Sequence, residues 1–433
     1  MPLESGVRLT SNDASGRVPA SSKKRSSGNR RPRVYLHIGE PKTGTTFLQH
    51  VLFGNRDRLD ARGVVLPGYT RRDHSRASRD LRGAGRPDED PADPWVGEWD
   101  VLIGQALCAS DKAVISDEVL AACTAEEAGQ AIASLHLAEP HVIVTVRDFA
   151  SLLAAEWQER IKCRGTEPWE AWLKEVVDLG SAEVRRFPFS RFWNVHDTLA
   201  ILDMWAQHIP PDHVHVVPAP RGQSEELWMR FASVLGIDPA GFDLDGARSN
   251  QSLGVLEVEF LRRMNEQLPD DVPDWFYTRN IKRILAHGIL SERQGRKRLA
   301  LPPDVQAWAI EQSEILVAGL RDGKYHVVGD LDDLLSQPAS EPYVDPATQP
   351  DAALLETAVH AAASMAGTHY EQIFAPKPRK ERLGLRKRLS KIEWDLLNGP
   401  TTKRLLRKVS TRSAARRVRV TIWRILIHPG RRR

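Results

Sequence analysis

The amino-acid sequence predicts an α/β fold with a central parallel sheet of about five strands and helices on both faces. The first observation is a set of short apolar runs such as His141–Val146 (HVIVTV), which are typical of parallel strands covered on both faces. The second is that segments with helical periodicity separate these runs, an alternation that favours a doubly wound sheet. The third is length, because 433 residues can hold one large domain of roughly 250 to 300 residues plus extensions.

Composition divides the chain into four parts. Residues 1–33 are rich in Ser, Gly, Lys and Arg and are expected to form a disordered basic arm. Residues 34–335 carry the α/β pattern, 336–350 form a Pro-rich linker, and 351–433 form a helical, strongly basic extension. The arm holds about 8 basic and 2 acidic residues and 377–433 about 20 and 3, so the net charge of +4 leaves roughly −19 for the residues between them.

The elements of the predicted domain follow in chain order. The predicted strands are 34–38, 63–66, 113–115, 141–146 and 214–217. The predicted helices are 46–51, 95–107, 126–137, 149–162, 168–178, 195–207, 224–235, 254–267, 278–285, 303–320 and 352–374. The charged, Gly- and Pro-rich stretch 70–94 is expected to be a loop. The predicted core anchors are Trp157, Trp193, Trp205 and Trp228.

The turn between the first strand and the first helix has the composition of a phosphate-binding loop. A Gly-containing turn at this point directs backbone N–H groups and the positive end of the helix dipole at a bound anion. Lys42 adds a cation, and Thr43, Thr45 and Thr46 add hydroxyl donors. The Walker pattern is not met, because Lys42 precedes Gly44 instead of following it. The sequence therefore predicts a P-loop-like three-layer domain without the ATPase signature.

Two further charged residues follow predicted strands and should face the same crevice, because ligands of open parallel sheets bind beyond the carboxyl ends of the strands. Arg147 follows the fourth strand, and its planar guanidinium suits a phosphate. Glu118 follows the third strand, and a carboxylate at this edge could act as a general base. The alternatives are an ion pair of Arg147 with Asp148 or Glu159, and a helix-start role for Glu118. Rival candidates for the base are His37, His50 and His196.

The order Pro-Lys-Thr-Gly-Thr-Thr at residues 41–46 resembles the 5′-phosphosulfate-binding loop of sulfotransferases, whose donor is 3′-phosphoadenosine 5′-phosphosulfate (PAPS). The resemblance implies that Lys42 contacts the bridging oxygen and the sulfonyl group. It also implies that the backbone of Thr43, Gly44, Thr45 and Thr46 holds the 5′-phosphate.

Other segments extend the resemblance to roughly residues 34–335. Arg147 resembles the arginine that binds the 3′-phosphate, and Glu118 resembles the base of carbohydrate sulfotransferases. The serine that pairs with this arginine in the family is Ala155 here, and Ser151 is the candidate substitute. The segments AEWQE, FWNVHD, LWMRFA, NQSL and VVGDLDDLL look like those of actinobacterial members of the family.

The expected function is transfer of a sulfonyl group from PAPS to a hydroxyl or amine of an acceptor, with a carbohydrate or glycolipid as candidates and no metal required. Two alternatives stay open. One is a catalytically degenerate nucleotide-binding protein, which the alanine at position 155 would fit. The other is a P-loop-type phosphotransferase, which would need a Mg²⁺ ligand and a Walker arrangement.

Partners and location are predicted from the cysteines and the basic tail. The three widely spaced cysteines favour a reducing cytoplasm, and no run approaches the roughly 18 apolar residues of a membrane span. Arg and Lys alternate with Leu, Ile, Val and Trp in 377–433, a pattern that favours peripheral contact with an anionic membrane at its inner face. Docking of the tail on the acidic body is the equal alternative, and nucleic acid is less favoured.

Overall fold

The computed structural model describes residues 31–83, 95–180, 191–245, 252–338 and 342–374. Nearly all of the predicted basic arm lies outside the described residues. The whole of the basic tail at 377–433 lies outside them too. The membrane, self-docking and nucleic-acid hypotheses for the tail therefore stay predictions.

A single parallel sheet is the centre of the fold, which confirms the predicted α/β class. Its strand order over the described residues is β2-β3-β1-β4-β5-β6, and every neighbouring pair is parallel. The strands are β1 Arg33–His37, β2 Val64–Val65, β3 Lys112–Ser116, β4 Glu139–Val146, β5 Val214–Pro218 and β6 His326–Val327. The prediction of about five strands did not include β6, which pairs with β5 over only two residues.

Both faces of the sheet are covered, as a parallel sheet requires. Along β1, Val34 and Leu36 enter one apolar core, whereas Tyr35 enters a second core on the opposite face. The four predicted tryptophan anchors are confirmed, since each is at most 1% exposed: Trp157, Trp193, Trp205 and Trp228. The three-layer arrangement thus follows from strands that are apolar on both sides.

The helices surround this sheet. Over the described residues the α-helices are α1 Thr45–Gly54, α2 Arg56–Ala61, α3 Arg71–Leu81, α4 Glu98–Ala106, α5 Ala125–Ala133, α6 Phe149–Lys162, α7 Trp169–Gly180, α8 Trp193–His196, α9 Thr198–Ala206, α10 Ser224–Val234, α11 Val255–Gln267, α12 Asp274–Phe276, α13 Pro303–Asp322 and α14 Asp351–Phe374. Between α12 and α13, the segment Tyr277–Ile289 is a π-helix.

The prediction of a loop over 70–94 is wrong for its first half, where α3 forms. The Asp73 carboxylate accepts hydrogen bonds from the backbone N–H groups of Tyr69 and Thr70, at 2.8 and 2.9 Å, and so caps the helix start. The buried face of α3 consists largely of small or polar side chains, among them His74, Ala77 and Ser78. That face carries little hydrophobic signal, which is why periodicity missed it. Residues 84–94 lie outside the described part of the chain.

The C-terminal helical region packs on the same body. Helix α14 contacts α11, with Leu354 and Ala361 buried. The Arg293 guanidinium also donates to the Thr357 hydroxyl of α14 at 2.8 Å. Ser336, at the start of the predicted linker, is buried and bonds Ser313 at 2.7 Å. Among the described residues, no helix is long and apolar enough to cross a membrane.

Candidate active site

The strand order creates a crevice between the carboxyl ends of β1 and β4. The chain leaves β1 toward β2 at one edge of the sheet and leaves β4 toward β5 on the other side. Connections that diverge from adjacent strands open a cleft, and ligands of doubly wound sheets bind there. The loop after β1 and the residue Arg147 after β4 both flank this cleft.

The loop after β1 is a tight turn that leads directly into α1. Gly39, Lys42 and Gly44 have positive φ angles of 63°, 64° and 93°, and α1 begins at the next residue, Thr45. A left-handed conformation is uncommon for a lysine and indicates that the surrounding structure fixes the turn. A Cβ at Gly44 would also collide with the Leu227 side chain of α10. Only glycine therefore fits at this position.

The loop threonines differ in what their hydroxyls do. The Thr43 hydroxyl donates to the Glu40 carbonyl at 2.6 Å and bonds the Thr145 hydroxyl of β4 at 2.6 Å. It thus ties the loop to the sheet and is fully engaged. Thr45 is buried, and Thr46 is half-buried on the first turn of α1. Thr43 therefore has a structural role, whereas Thr45 and Thr46 lie at the start of α1.

Lys42 is ion-paired with a residue that the sequence analysis did not assign to it. Its ammonium lies 2.7 Å from one carboxylate oxygen of Glu159 on α6, and the Lys282 ammonium lies 2.6 Å from the other. Burial would raise the pKa of Glu159, but the two lysines outweigh it and lower the pKa to about 2. One carboxylate is thus shared by two cations beside the loop.

Two more basic groups surround this carboxylate. Lys162 is 5% exposed and makes no ion pair or hydrogen bond with any residue that the structure describes. Burial and the neighbouring lysines lower the pKa of Lys162 to about 8, although Glu159 opposes them. Burial also lowers the pKa of His287 to about 4, and Lys162 adds to the effect. The single negative charge of Glu159 does not balance the positive charges of Lys42, Lys162 and Lys282, so this cluster would attract an anion.

Arg147 lies where the sequence predicts it, at the end of β4. Its guanidinium donates to the Lys42 carbonyl at 3.3 Å. It forms no ion pair with any described carboxylate, since Asp148 pairs with Arg221 at 3.0 Å and Glu159 pairs with the lysines. Burial lowers the pKa of Arg147, and the charge of the neighbouring Asp148 offsets this effect only in part. The alternative of an ion pair with Asp148 or Glu159 is wrong for the geometry that the structure shows.

The candidate partner of Arg147 in binding a 3′-phosphate, Ser151, is on α6. Ser151 lies in the first turn, where its backbone N–H donates to the Asp148 carboxylate at 2.9 Å. Its hydroxyl makes no hydrogen bond within the described part of the chain. Ala155 and Glu159 follow at intervals of four residues and therefore share a helix face with it. Ser151, Ala155 and Glu159 therefore form a line along α6 that begins near Arg147 and ends at Lys42.

Glu118 lies against the loop but is not bonded to Lys42. Its side chain packs beside Gly39 and accepts hydrogen bonds from Gln49 at 3.1 Å and from Arg71 at 3.3 Å. It begins the 3-10 helix Glu118–Ala122, so the helix-start alternative is also consistent with its position. The neighbouring Asp117 is buried, and burial with the charge of Glu118 raises its pKa to about 6.

The three histidines that rival Glu118 as base occupy different environments. His37 is buried on β1, bonds the Ser116 hydroxyl at 2.7 Å, and has its pKa lowered to about 3 by burial. His50 is exposed on α1. His196 is fully buried behind the loop, between two carboxylates. None of them contacts Lys42 among the contacts that the described residues make.

A buried charge cluster supports the loop from behind. The His196 ring lies 3.6 Å from the Glu40 carboxylate and 3.8 Å from the Glu156 carboxylate. Burial alone would lower the pKa of His196, but the carboxylates of Glu156 and Glu40 outweigh it and raise the pKa to about 9. The Thr198 hydroxyl donates to the other Glu40 oxygen at 2.5 Å. Because Glu40 belongs to the loop, a charged His196 links the loop to α6.

This cluster predicts a pH-dependent stability. Since the folded pKa of His196 is about 9 against an ordinary 6.5, its contribution is complete below pH 6.5 and is lost as the pH rises through 9. The shift corresponds to about 3 kcal/mol of the free energy of unfolding. Lys162 titrates in the same range with the opposite sign, so the useful quantity is the difference between wild type and His196→Gln. Urea unfolding should show that difference shrinking between pH 6.5 and 9.5, and an unchanged difference would contradict the charged state of His196.

Sequence reasoning did not place three residues beside Lys42: Lys162, Lys282 and Glu159, the last of which it considered only as an ion-pair partner of Arg147. The spacing of four from Ser151 through Ala155 to Glu159 is a signal that could have identified the carboxylate. No comparable signal exists for Lys282, which reaches the cluster from the distant π-helix Tyr277–Ile289.

Comparison with known proteins adds no identification. No protein-family model, curated protein or solved structure matches this chain. The class that the fold defines is an α/β protein whose described residues form a six-stranded parallel sheet flanked by helices.

Proposed function

We propose that this protein transfers a sulfonyl group from PAPS to a hydroxyl or amine of an acceptor molecule. The observation that carries the proposal is the pairing of two anion-binding elements across the β1–β4 crevice. On one side is the loop with Lys42 at its turn. On the other is the half-buried guanidinium of Arg147, which touches the loop backbone but has no ion pair in the described structure. A donor with phosphates at both ends of its ribose requires two such elements.

The donor would occupy the crevice with its 5′-phosphosulfate on the loop. Backbone N–H groups at the start of α1 would hold the phosphate, aided by the hydroxyls of Thr45 and Thr46. Lys42 would leave Glu159 and stabilise the charge that develops on the bridging oxygen as the sulfur–oxygen bond breaks. Glu159 would stay paired with Lys282, so the exchange does not leave a buried carboxylate without a cation.

The 3′-phosphate would bind Arg147. The absence of serine at position 155 leaves Ser151, one helical turn earlier on the same face, as the nearest hydroxyl on α6. Its hydroxyl is not engaged elsewhere in the described structure, which is consistent with a ligand-binding role.

Glu118 is the proposed base for the acceptor. To act, its carboxylate must exchange the hydrogen bond from Arg71 for one from the acceptor, and it can keep the hydrogen bond from Gln49. A bound acceptor that displaces the half-exposed Arg71 would free one oxygen, while Gln49 keeps the other in place. The cationic group around Lys162 would bind an acidic acceptor or the negatively charged sulfo group that the reaction forms on the acceptor.

Ligand binding is the test of this proposal. Calorimetry on the full-length chain should show that adenosine 3′,5′-bisphosphate binds at least about tenfold more tightly than ATP or GTP, because a charge-assisted contact to the 3′-phosphate contributes roughly 1.5–3 kcal/mol. The preference should persist in the presence of EDTA, since the proposed site uses amino-acid cations alone. Adenosine 5′-phosphosulfate, which lacks the 3′-phosphate, serves as the matched control ligand.

The outcomes separate the competing functions. Tight binding of ATP in preference to the bisphosphate, dependent on Mg²⁺, would replace the proposal with a phosphotransferase. Bisphosphate binding without donor consumption on pools of sugars, glycolipids and amines would instead support a degenerate nucleotide-binding protein. Donor consumption with transfer of label to one of these pools supports the sulfotransferase.

A further inference from the structure

A cluster of four histidines and one glutamate lies at the amino-terminal end of the sheet. His141 is on β4, His215 on β5 and His326 on β6, and their side chains form a continuous row. His213 precedes β5, and Glu139 is the first residue of β4. The cluster is distinct from the proposed donor site. His141 and Arg147 are six residues apart on an extended strand, a separation of roughly 20 Å at about 3.3 Å per residue.

Three members of the cluster could act as metal ligands together. One ligand atom from each of Glu139, His141 and His213 lies within 4.8 Å of the other two. The His141 Nε2 atom is 3.1 Å from the Glu139 carboxylate. The His213 Nδ1 atom lies 3.1 Å from the Pro140 carbonyl, which can only accept, so Nδ1 carries a proton and the Nε2 atom of the neutral ring is left as a lone pair.

The hydrogen bonds of His141 are compatible with a tautomer that can bind a metal. Its Nδ1 atom is 3.0 Å from His215 Nε2, and His215 Nδ1 is 2.8 Å from His326 Nδ1. This row of rings can donate in either direction. When His326 is the first donor, His141 carries its proton on Nε2 and donates to Glu139. When His141 is the first donor, its Nε2 is a lone pair directed at the same place, and every ring keeps a partner.

The second direction is the arrangement common around metal-binding histidines, where the ring nitrogen remote from the metal donates to another group. Stacking on Tyr35, with ring centroids 4.7 Å apart, further fixes the His141 ring. Glu139 and His213 are half-exposed and so have room to turn. Rotation of these two side chains would bring the three ligand atoms closer together, to the roughly 3.3 Å expected between ligands of an ion with bonds of about 2.0 Å.

We propose that Glu139, His141 and His213 bind a divalent transition-metal ion of the zinc type, with a fourth position open to water. Two imidazoles and a carboxylate form a ligand set that such ions prefer over Mg²⁺ or Ca²⁺, which favour oxygen ligands. The half-exposed ligands provide the entry path. His215 and His326 orient His141. When the ion displaces the Nε2 proton of His141 to solvent, the protons of the row shift toward His141 and the exposed His326 takes up one proton from solvent.

Cobalt titration of the full-length, chelator-treated protein tests the site. We expect one Co²⁺ per chain with the visible absorption of a four-coordinate ion, and stoichiometric displacement by Zn²⁺. His213→Ala should weaken binding by about 100-fold or more, because it removes a ligand outside the core. His208→Ala is the matched control, since that exposed histidine bonds only the Ala125 carbonyl among the described residues, and it should change nothing.

Two further variants keep the test independent of folding defects. Glu139→Gln retains the size of a half-exposed side chain and should weaken Co²⁺ binding as His213→Ala does. His326→Ala should weaken binding roughly tenfold while preserving stoichiometry and the absorption bands, as expected when only a supporting group is lost. Equal Co²⁺ affinity in wild type, His213→Ala and Glu139→Gln would overturn the proposal. So would loss of binding in His208→Ala of the same size as in His213→Ala.

Discussion

Replacing Lys42 with alanine should reduce the rate of sulfonyl transfer by about 10²- to 10³-fold, the usual cost of removing a donor that stabilises charge in the transition state. The fold should survive, because the Glu159 carboxylate keeps its ion pair with Lys282. Single-turnover consumption of labelled PAPS in the presence of acceptor is the measurement. Binding of adenosine 3′,5′-bisphosphate should weaken much less than the rate, since in the proposed complex backbone N–H groups would hold the phosphate independently of the lysine.

The controls for this experiment come from the same chain. Lys174→Ala removes an exposed, ion-paired lysine of α7 and should leave both rate and affinity unchanged. Lys42→Arg preserves the charge but not the compact ammonium and should recover only part of the rate. A Lys42→Ala protein that transfers sulfate within a factor of about two of wild type would remove the lysine from the chemistry.

The sequence predicted those parts of the site that lie within one stretch of chain or at the end of one strand. The loop could be predicted because strand, turn and helix are consecutive in the chain, so the residue types of this one segment specify its geometry. The position of Arg147 could be predicted because an apolar run ends directly before it and parallel strands end at a common edge of the sheet. Both positions follow from local pattern and from the topology that alternating elements impose.

What the sequence could not predict depends on where separate elements meet. Lys282 joins Lys42 at Glu159 through a π-helix more than 200 residues further along the chain. The row from His141 to His326 exists only because β5 lies between β4 and β6 in a specific register. A shift of one residue would place these side chains on the opposite face of the sheet. Short apolar runs predict strands, but they carry no information on register.

Replacing Arg147 with alanine should weaken binding of adenosine 3′,5′-bisphosphate by roughly 10- to 100-fold, since a hydrogen bond to a charged group contributes about 1.5–3 kcal/mol. Affinity for adenosine 5′-phosphosulfate should stay the same, because that ligand has no 3′-phosphate for the guanidinium to hold. The thermal midpoint should not fall, as the substitution removes a half-buried cation with no ion pair in the described structure.

The test is specific because both ligands, adenosine 3′,5′-bisphosphate and adenosine 5′-phosphosulfate, are measured on both the wild type and Arg147→Ala. Arg160→Ala, which removes an α6 arginine paired with Glu167, should weaken neither ligand and controls for loss of general positive charge. Arg147→Lys should give an intermediate affinity for the bisphosphate, because an ammonium lacks the planar fork of the guanidinium. If Arg147→Ala weakens both ligands equally, the arginine supports the loop through the Lys42 carbonyl and does not bind the 3′-phosphate, and the assignment of the donor as PAPS would then lack its structural basis.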